Sequence, residues 1–340
     1  MKSLSGKPFL IWVLFAVTAL LAAKTIAGFY AEKLNTKAIA TDSDSLRTAY
    51  LQRAIAIEKR NPIFYENMAL AYAQRDTNIT LNNLLKGYVS DSHSLKKAVE
   101  YASTACKIDS CNVLFRLNAA ILLYMSGDKD KAVRQLQNTT DKLALVVLGI
   151  MEENNGQMQD ARNNYATAIT LAPDITDSPF FADLWQRDSL LAANALTDAE
   201  KQLETEFALT KSIAVQARLG KILMAEGRID EARAIFETVV EQLPNMNRPH
   251  LYLGSIAEMQ HDTAAAINYY ETAQKLDEGD LLAIARLNKL KGKEYKEYTN
   301  YVRERKRPRM RFRASYIYDA QLLEYICVDG LDEYISPMVE

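Results

Sequence analysis

The sequence has few of the residues that define several other classes of protein. Its 340 residues include only 3 cysteines, 12 glycines and 8 prolines. Three cysteines are too few for a disulfide framework, and the scarcity of glycine and proline argues against a strand-rich fold with many tight turns. The formal net charge of −2 supplies no overall attraction to nucleic acid or to anionic membranes. With 49% hydrophobic and 25% charged residues, the composition favours an all-α protein.

Motifs that carry chemistry are also missing from the sequence. It has no glycine-rich phosphate loop, no nucleophile elbow and no Cys-x-x-Cys pair. The histidines His93, His250 and His261 are scattered, and none has a second ligand at metal spacing. We therefore predict no catalytic residue, metal, cofactor or small-molecule substrate, and interpret the chain as not being an enzyme. Cys106 and Cys111 could pair across a helix end in an oxidising compartment or remain buried thiols.

A pattern of 34 residues occurs twice, in phase, between Ile213 and Asp280. In each copy a large residue stands beside a glycine, and small residues flank an aromatic residue further on. Leu219-Gly220, Ala232, Phe236 and Val239 recur as Leu253-Gly254, Ala266, Tyr270 and Ala273. Each copy therefore reads as two antiparallel amphipathic helices.

This pattern resembles the tetratricopeptide repeat family. Further units with the same features are predicted at residues 112–139 and 142–175, with a degenerate unit at residues 176–212 and a last pair after Asp280. The resemblance implies a right-handed superhelical α-solenoid of helical hairpins with a concave groove that binds proteins. Glycine in mid-helix costs about 1 kcal/mol relative to alanine, so Gly149, Gly220 and Gly254 predict close helix crossings.

The N-terminal region contains the longest uncharged run in the sequence. Residues 1–7 form a short basic tail, and residues 8–30 are long and apolar enough to predict one transmembrane helix or uncleaved signal anchor. A cleaved secretory signal is the competing interpretation. Residues 31–44, polar and with little periodicity, are predicted to be a linker to the solenoid at residues 45–304.

Two segments depart from the repeat pattern. An insertion at residues 76–94 separates the first helix of one hairpin from its second helix. It is interpreted either as a contact element or as a tolerated loop with a short helix at Leu81 to Leu85. Residues 305–340 form a basic, then acidic, C-terminal tail that could fold as a capping helix.

The solenoid predicts a candidate binding groove on its first helices. Its polar members are Asn67, Asn118, Tyr124, Arg218, Lys221, Arg248 and Tyr252. The mixture suits an amphipathic helix or an extended segment of a protein partner. The lysine, asparagine and arginine clamp of chaperone-binding relatives is missing at the corresponding positions.

A basic cluster at the end of the solenoid and the start of this tail is a candidate anion-binding site. It consists of Arg303, Arg305, Lys306, Arg307, Arg309, Arg311 and Arg313. Anionic lipid near the anchor is one candidate ligand, nucleic acid is disfavoured if the domain is exported, and intramolecular pairing with the acidic tail is the alternative.

These features predict a non-catalytic, membrane-anchored scaffold or adaptor for protein–protein interactions, single-pass, with a periplasmic or otherwise extracytoplasmic repeat domain. Lysines on both sides of the predicted span leave the orientation open. The first alternative is therefore a cytosol-facing membrane receptor for acidic peptides or lipids. The second is an accessory subunit of a membrane enzyme or of a surface-polymer or secretion system.

Overall fold

The computed structural model describes residues 7–292, although side chains at 7–17, 19–21, 81 and 281 are excepted. In this part the chain forms sixteen α-helices, one 3-10 helix and no strand. It divides into two compact units, whose described residues are 7–135 in unit 1 and 136–292 in unit 2. Both units consist of helical hairpins, so the predicted all-α, tetratricopeptide-like fold is confirmed, while the handedness of the array stays a prediction.

Unit 1 contains three hairpins, the second of which is interrupted by an insertion. Its helices are α1 (Lys7–Ala40), α2 (Asp44–Ile57), α3 (Pro62–Ala73), α4 (Leu81–Leu85), α5 (His93–Ile108), α6 (Val113–Met125) and α7 (Lys129–Leu136). Helix α3 packs against α5 across the insertion. The small residues Ala98, Ala102 and Ala105 of α5 are fully buried and allow the two backbones to approach closely.

The first hairpin begins earlier than the sequence analysis predicts. Helix α1 packs against α2 and buries Ala31, Leu34, Asn35 and Ala38. The spacing of these residues places them on one helix face. The predicted linker at residues 31–44 is therefore wrong up to Ala40: it is the first helix of a hairpin.

Within the described residues, no helix combines the length and the apolar character that crossing a bilayer requires. Most side chains of the predicted span at residues 8–30 lie outside those described, so the anchor stays a prediction from sequence.

The insertion at residues 76–94 is folded onto unit 1. It contains the short helix α4, as one of its two interpretations expects, and buries Ile79 and Leu84. The buried Asp76 accepts hydrogen bonds from the Ser90 hydroxyl at 2.7 Å and the Asn78 amide at 3.0 Å. Burial opposes ionisation of Asp76, but hydrogen bonds from Ser92, Ser90 and Asn78 outweigh it and hold its pKa below the ordinary value.

Unit 2 continues the hairpin pattern through nine helices. They are α8 (Lys142–Asn154), α9 (Met158–Leu171), α10 (Pro179–Arg187), α11 (Ser189–Thr210), α12 (Ile213–Ala225), α13 (Ile229–Gln242), α14 (Asn247–Met259), α15 (Thr263–Leu276) and α16 (Leu281–Leu290). Between α9 and α10 lies the 3-10 helix Pro173–Asp177, here named the acidic segment. The predicted hairpins up to α15 are present, including the degenerate one formed by α10 and α11; of the predicted last pair, α16 is present and the second helix lies outside the described residues.

The mid-helix glycines lie at close helix crossings, as predicted. A Cβ atom at Gly254 would lie 2.6 Å from the Tyr270 ring, and one at Gly220 would lie 2.9 Å from the Phe236 ring. Gly149 would clash in the same way with Tyr165. Each glycine therefore accommodates the aromatic ring from the second helix of its own hairpin.

The turns inside four hairpins share one left-handed residue. In the turn after α12, Gly227 has φ +79° and the Arg228 amide donates to the Leu223 carbonyl at 2.9 Å. This hydrogen bond reaches back over the end of the helix and satisfies a terminal carbonyl. Gly127 and Gly156 occupy the equivalent position, but the turn after α14 has His261 at φ +62°.

Candidate functional site

The acidic segment places two carboxylates against α12 and α14, each of which is the first helix of a hairpin in unit 2. Pro173 follows the end of α9, where a further helical turn would need its missing amide. The Ile175 amide donates to the Ala172 carbonyl at 3.0 Å, and the Ser178 amide donates to the Ile175 carbonyl at 3.0 Å. Pro173 and Ile175 are buried, which leaves the polar side chains of the segment to face α12 and α14.

Lys221 of α12 is held by this segment. Its ammonium group donates to Asp177 Oδ1 at 2.8 Å and to Thr176 Oγ1 at 3.0 Å. The Lys221 side chain is 4% exposed, whereas that of Asp177 is 55% exposed. A buried ammonium group needs a counter-charge, and the acidic segment supplies it.

Tyr252 of α14 binds the other end of the segment. Its hydroxyl donates to Asp174 Oδ1 at 2.7 Å. Burial raises the pKa of Tyr252 well above its usual range, and the nearby Asp174 carboxylate adds to the shift while Arg248 opposes it. Tyr252 also packs on Phe236, with ring centroids 4.9 Å apart. The hydroxyl is thus a fixed, protonated donor aimed at a carboxylate.

Arg218 lies one helical turn before Lys221 and binds other groups. One guanidinium nitrogen donates to the Thr170 carbonyl at 3.0 Å, and another donates to Glu206 Oε1 at 2.7 Å. It therefore connects α12 to α9 and α11. Of the predicted groove residues in unit 2, the structure brings Lys221 and Tyr252 together on the acidic segment, while Arg248 acts electrostatically on Tyr252.

Sequence reasoning missed Asp174 and Asp177 as partners of these residues. A signal for them does exist, because the glycine of α8 and the glycine of α12 are 71 residues apart, which is three more than two 34-residue periods. The acidic segment lies within that interval. The extra length, next to a proline and with two aspartates, marks a segment that leaves the hairpin pattern.

The predicted groove residues of unit 1 are internal. Asn67 donates to Asn35 Oδ1 at 2.8 Å, and Asn118 donates to Glu66 Oε1 at 2.6 Å. Tyr124 is fully buried, which raises its pKa to about 12. In unit 1 these three side chains are buried, and their assignment to a binding groove stays a prediction.

The remaining candidate residues divide into described and undescribed ones. The cluster Arg303, Arg305, Lys306, Arg307, Arg309, Arg311 and Arg313 lies outside the described residues, as does the tail at residues 305–340.

Cys106 and Cys111 are both free thiols. Burial, and then the nearby Glu66, raises the pKa of Cys106 to about 12. In the described part of the chain no cluster of three or more histidine, cysteine or carboxylate residues could hold a metal ion.

Comparison with known proteins agrees with this architecture. Residues 217–280, which span α12 to α15, match the family model of the tetratricopeptide repeat. The chain is 24% identical over 149 residues to the bovine (Bos taurus) BBSome complex member BBS4, covering 44% of this chain and 27% of that protein. The chain thus spans about a quarter of the length of this relative.

Solved structures that match the chain cover more of it. The Pseudomonas aeruginosa pilF structure is 14% identical, with 79% of this chain and 99% of that chain covered and a TM-score of 0.34. A tetratricopeptide repeat protein from Parabacteroides merdae is 15% identical, with 76% and 98% covered and a TM-score of 0.34. Similarities of this size show neither a partner nor an activity. Together with the matched segment, the hairpins make the described chain an array of tetratricopeptide-like repeats.

Proposed function

We propose that this chain is a non-catalytic scaffold that binds a protein partner along α12, α14 and α16, which are the first helices of successive hairpins in unit 2. The observation that carries the proposal is the alignment of polar side chains by the 34-residue period. Arg218, Tyr252 and Arg286 occupy equivalent positions of α12, α14 and α16, and Lys221, Ser255 and Lys289 do the same. Two rows of hydrogen-bonding side chains on successive helices suit an extended protein segment better than a compact small molecule.

The α12 end and the α16 end of these rows differ in how firmly their side chains are held by other residues of unit 2. At α12, Lys221 is buried against the acidic segment. At α16, Arg286 and Lys289 share the Glu258 carboxylate at 3.6 and 3.5 Å, and the Lys289 side chain is 50% exposed. Exposed ion pairs contribute little to stability, so the α16 end can exchange its contacts for those of a partner at small cost.

Affinity purification of the full chain in mild detergent tests this function. The informative variant is Arg286→Glu/Lys289→Glu, which reverses the charge at the α16 end of both rows. The matched control is Lys107→Glu/Lys201→Glu, which makes the same change in charge at exposed positions of α5 and α11. We expect one protein to be recovered with the wild type and the control and to be reduced about tenfold with the variant, which corresponds to roughly 1.4 kcal/mol. Equal recovery from all three proteins, or no recovery above background, would overturn the proposal.

We propose a membrane-anchored, extracytoplasmic location on the sequence alone. The support is the uncharged run Pro8–Ala23 within residues 8–30, whose length suits a bilayer span. A topology reporter fused after Glu340 tests it. Activity only of a reporter that works in the cytosol would favour a cytosol-facing receptor. Recovery of a stoichiometric membrane enzyme in the affinity purification would favour an accessory subunit.

A further inference from the structure

We propose that the α12 and α14 face of unit 2 recognises an acidic segment of the partner, and that Asp174 and Asp177 of the chain's own acidic segment bind this face until carboxylates of the partner replace them. The inference rests on the proposed function and gives the chemistry of its partner: a short helical turn carrying two carboxylates three residues apart, as in the acidic segment.

The acidic segment already makes the contacts that such a ligand would make. Its two carboxylates reach two different first helices, because Asp177 binds Lys221 of α12 and Asp174 binds Tyr252 of α14. Besides packing against α9 and α10, which it connects, the segment therefore reaches the first helices of two further hairpins. A partner with carboxylates at the same spacing would meet the same ammonium and hydroxyl donors, in charge-assisted hydrogen bonds of the stronger kind.

The ammonium group of Lys221 needs an anionic partner, whereas the carboxylate of Asp177 does not need Lys221. Lys221 is almost completely buried, so its charge is costly without a counter-charge. The carboxylate of Asp177 is more than half exposed and would be solvated after release. Exchange of one carboxylate for another keeps the buried ammonium paired throughout, which makes an acidic ligand the chemically matched competitor.

Release of the carboxylates does not require the segment to unfold. Ile175 is buried and anchors the segment. The Ile175 and Ser178 amides are bound to carbonyl groups of the same local stretch. Rotation of the Asp174 and Asp177 side chains therefore breaks their hydrogen bonds to Tyr252 and Lys221 while the backbone of the segment stays in place.

The test uses the chain's own sequence as a soluble probe. The probe is a fluorescent peptide copying residues 172–178 (APDITDS), and the matched probe has asparagine in place of both aspartates. The informative protein is the full chain with Asp174→Asn/Asp177→Asn, named the released variant. We expect the released variant to bind the acidic peptide about tenfold more tightly than the wild type does, a change corresponding to roughly 1.4 kcal/mol. Adding Lys221→Met to the released variant should abolish this gain, and the asparagine peptide should show no gain.

Two controls keep the outcome decisive. Asp183→Asn/Asp230→Asn removes two carboxylates at exposed positions of α10 and α13 and should bind the peptide as the wild type does. Asp177→Asn alone, at the more exposed aspartate, should give a smaller gain of about threefold and serves if the released variant does not fold. Equal affinity of the wild type, the single variant and the released variant, or tight binding that survives Lys221→Met, would overturn the inference.

The outcome is distinguishable from failure of the proposed function. If affinity purification recovers a partner that depends on Arg286 and Lys289 but is indifferent to Asp174, Asp177 and Lys221, the scaffold function stands and the acidic-segment inference fails. If the peptide experiment succeeds and no partner is recovered, the face binds acidic segments and the proposed scaffold lacks its partner.

Discussion

Lys221 and Asp177 form an ion pair whose partners differ sharply in burial. The ammonium nitrogen and Asp177 Oδ1 are 2.8 Å apart, yet the two side chains are 4% and 55% exposed. Removing one partner of the pair should therefore destabilise the fold more than removing the other. Loss of the aspartate leaves a buried charge without its counter-ion, whereas loss of the lysine leaves a carboxylate that water can solvate.

The first prediction follows from this asymmetry. Asp177→Ala should lower the free energy of unfolding by about 1 to 3 kcal/mol, because Thr176 alone must satisfy the ammonium group. Lys221→Met keeps most of the side-chain volume and removes the buried charge, so its effect should stay within about 1 kcal/mol. Urea unfolding of the full chain, followed by circular dichroism, measures both. A larger loss of unfolding free energy for Lys221→Met than for Asp177→Ala would contradict this expected order.

The second prediction concerns the glycines at helix crossings. Gly254→Ala should destabilise the chain more than Gly220→Ala, because the Tyr270 hydroxyl binds Ser255 at 3.2 Å and Glu258 at 3.1 Å and the ring cannot shift freely. Overpacking of this kind costs about 1 to 3 kcal/mol, against a gain of up to about 1 kcal/mol in helix propensity. The melting temperature of each variant measures the net effect.

The control for these variants is Gly28→Ala in α1. A Cβ atom there would lie 3.9 Å from the nearest neighbouring atom, so only the gain in helix propensity remains and the melting temperature should rise or stay unchanged. An increase for Gly254→Ala as large as that for Gly28→Ala would show that the crossing tolerates a methyl group.

The same crossings show how far the sequence predicts the fold. Gly254, Tyr270 and Glu258 recur at identical spacing as Gly149, Tyr165 and Glu153, with the Tyr165 hydroxyl donating to Glu153 at 2.8 Å. Where phenylalanine replaces tyrosine, after Gly220, no hydroxyl needs a partner. The hairpins could be predicted because such contacts are local and repeat with the 34-residue period.

The acidic segment and the first hairpin could not be predicted on that basis. The contact between Asp174 and Tyr252 joins residues 78 positions apart, and no periodic pattern specifies it. Likewise, Asn35 faces Asn67 at 2.8 Å from a helix whose polar residues resemble a linker. Both cases depend on where a non-repeating stretch packs, which only the assembled helices determine.

The third prediction exchanges residues between equivalent turns. His261 has φ +62° where the turn after α12 has Gly227. A side chain in the left-handed region costs roughly 1 to 2 kcal/mol, so His261→Gly should stabilise the chain by about 0.5 to 1 kcal/mol once the greater entropy of unfolded glycine is subtracted. Gly227→His should have the opposite sign. Thermal unfolding of both variants is the measurement, and changes of equal sign would contradict the equivalence of the two turns.

The last prediction concerns pH and the buried Glu152 of α8. Burial raises the pKa of Glu152 above 4.5; the Asn164 amide, which donates to its carboxylate at 2.6 Å, opposes the shift and Asp160 adds to it. Because the folded pKa lies above the unfolded value, the fold favours the protonated form. This contribution to stability is complete below pH 4.5 and is lost as the pH rises through the folded value. Glu152→Gln keeps an acceptor for Asn164 without the charge, so it should raise the free energy of unfolding at pH 7 by up to about 1 kcal/mol.

Adjacent Glu153 provides the matched control because its carboxylate is ion-paired. It accepts two hydrogen bonds from the Arg187 guanidinium, each at 3.0 Å, and one from the Tyr165 hydroxyl at 2.8 Å. Glu153→Gln makes the same chemical change one residue along the helix and should destabilise the chain at pH 7, since it removes the counter-charge of Arg187. Unfolding of both variants at pH 4 and pH 7 separates the two cases. The gain from Glu152→Gln should disappear at the lower pH, where the wild-type carboxyl is itself protonated, and a gain that persists there would mean that packing rather than charge is responsible.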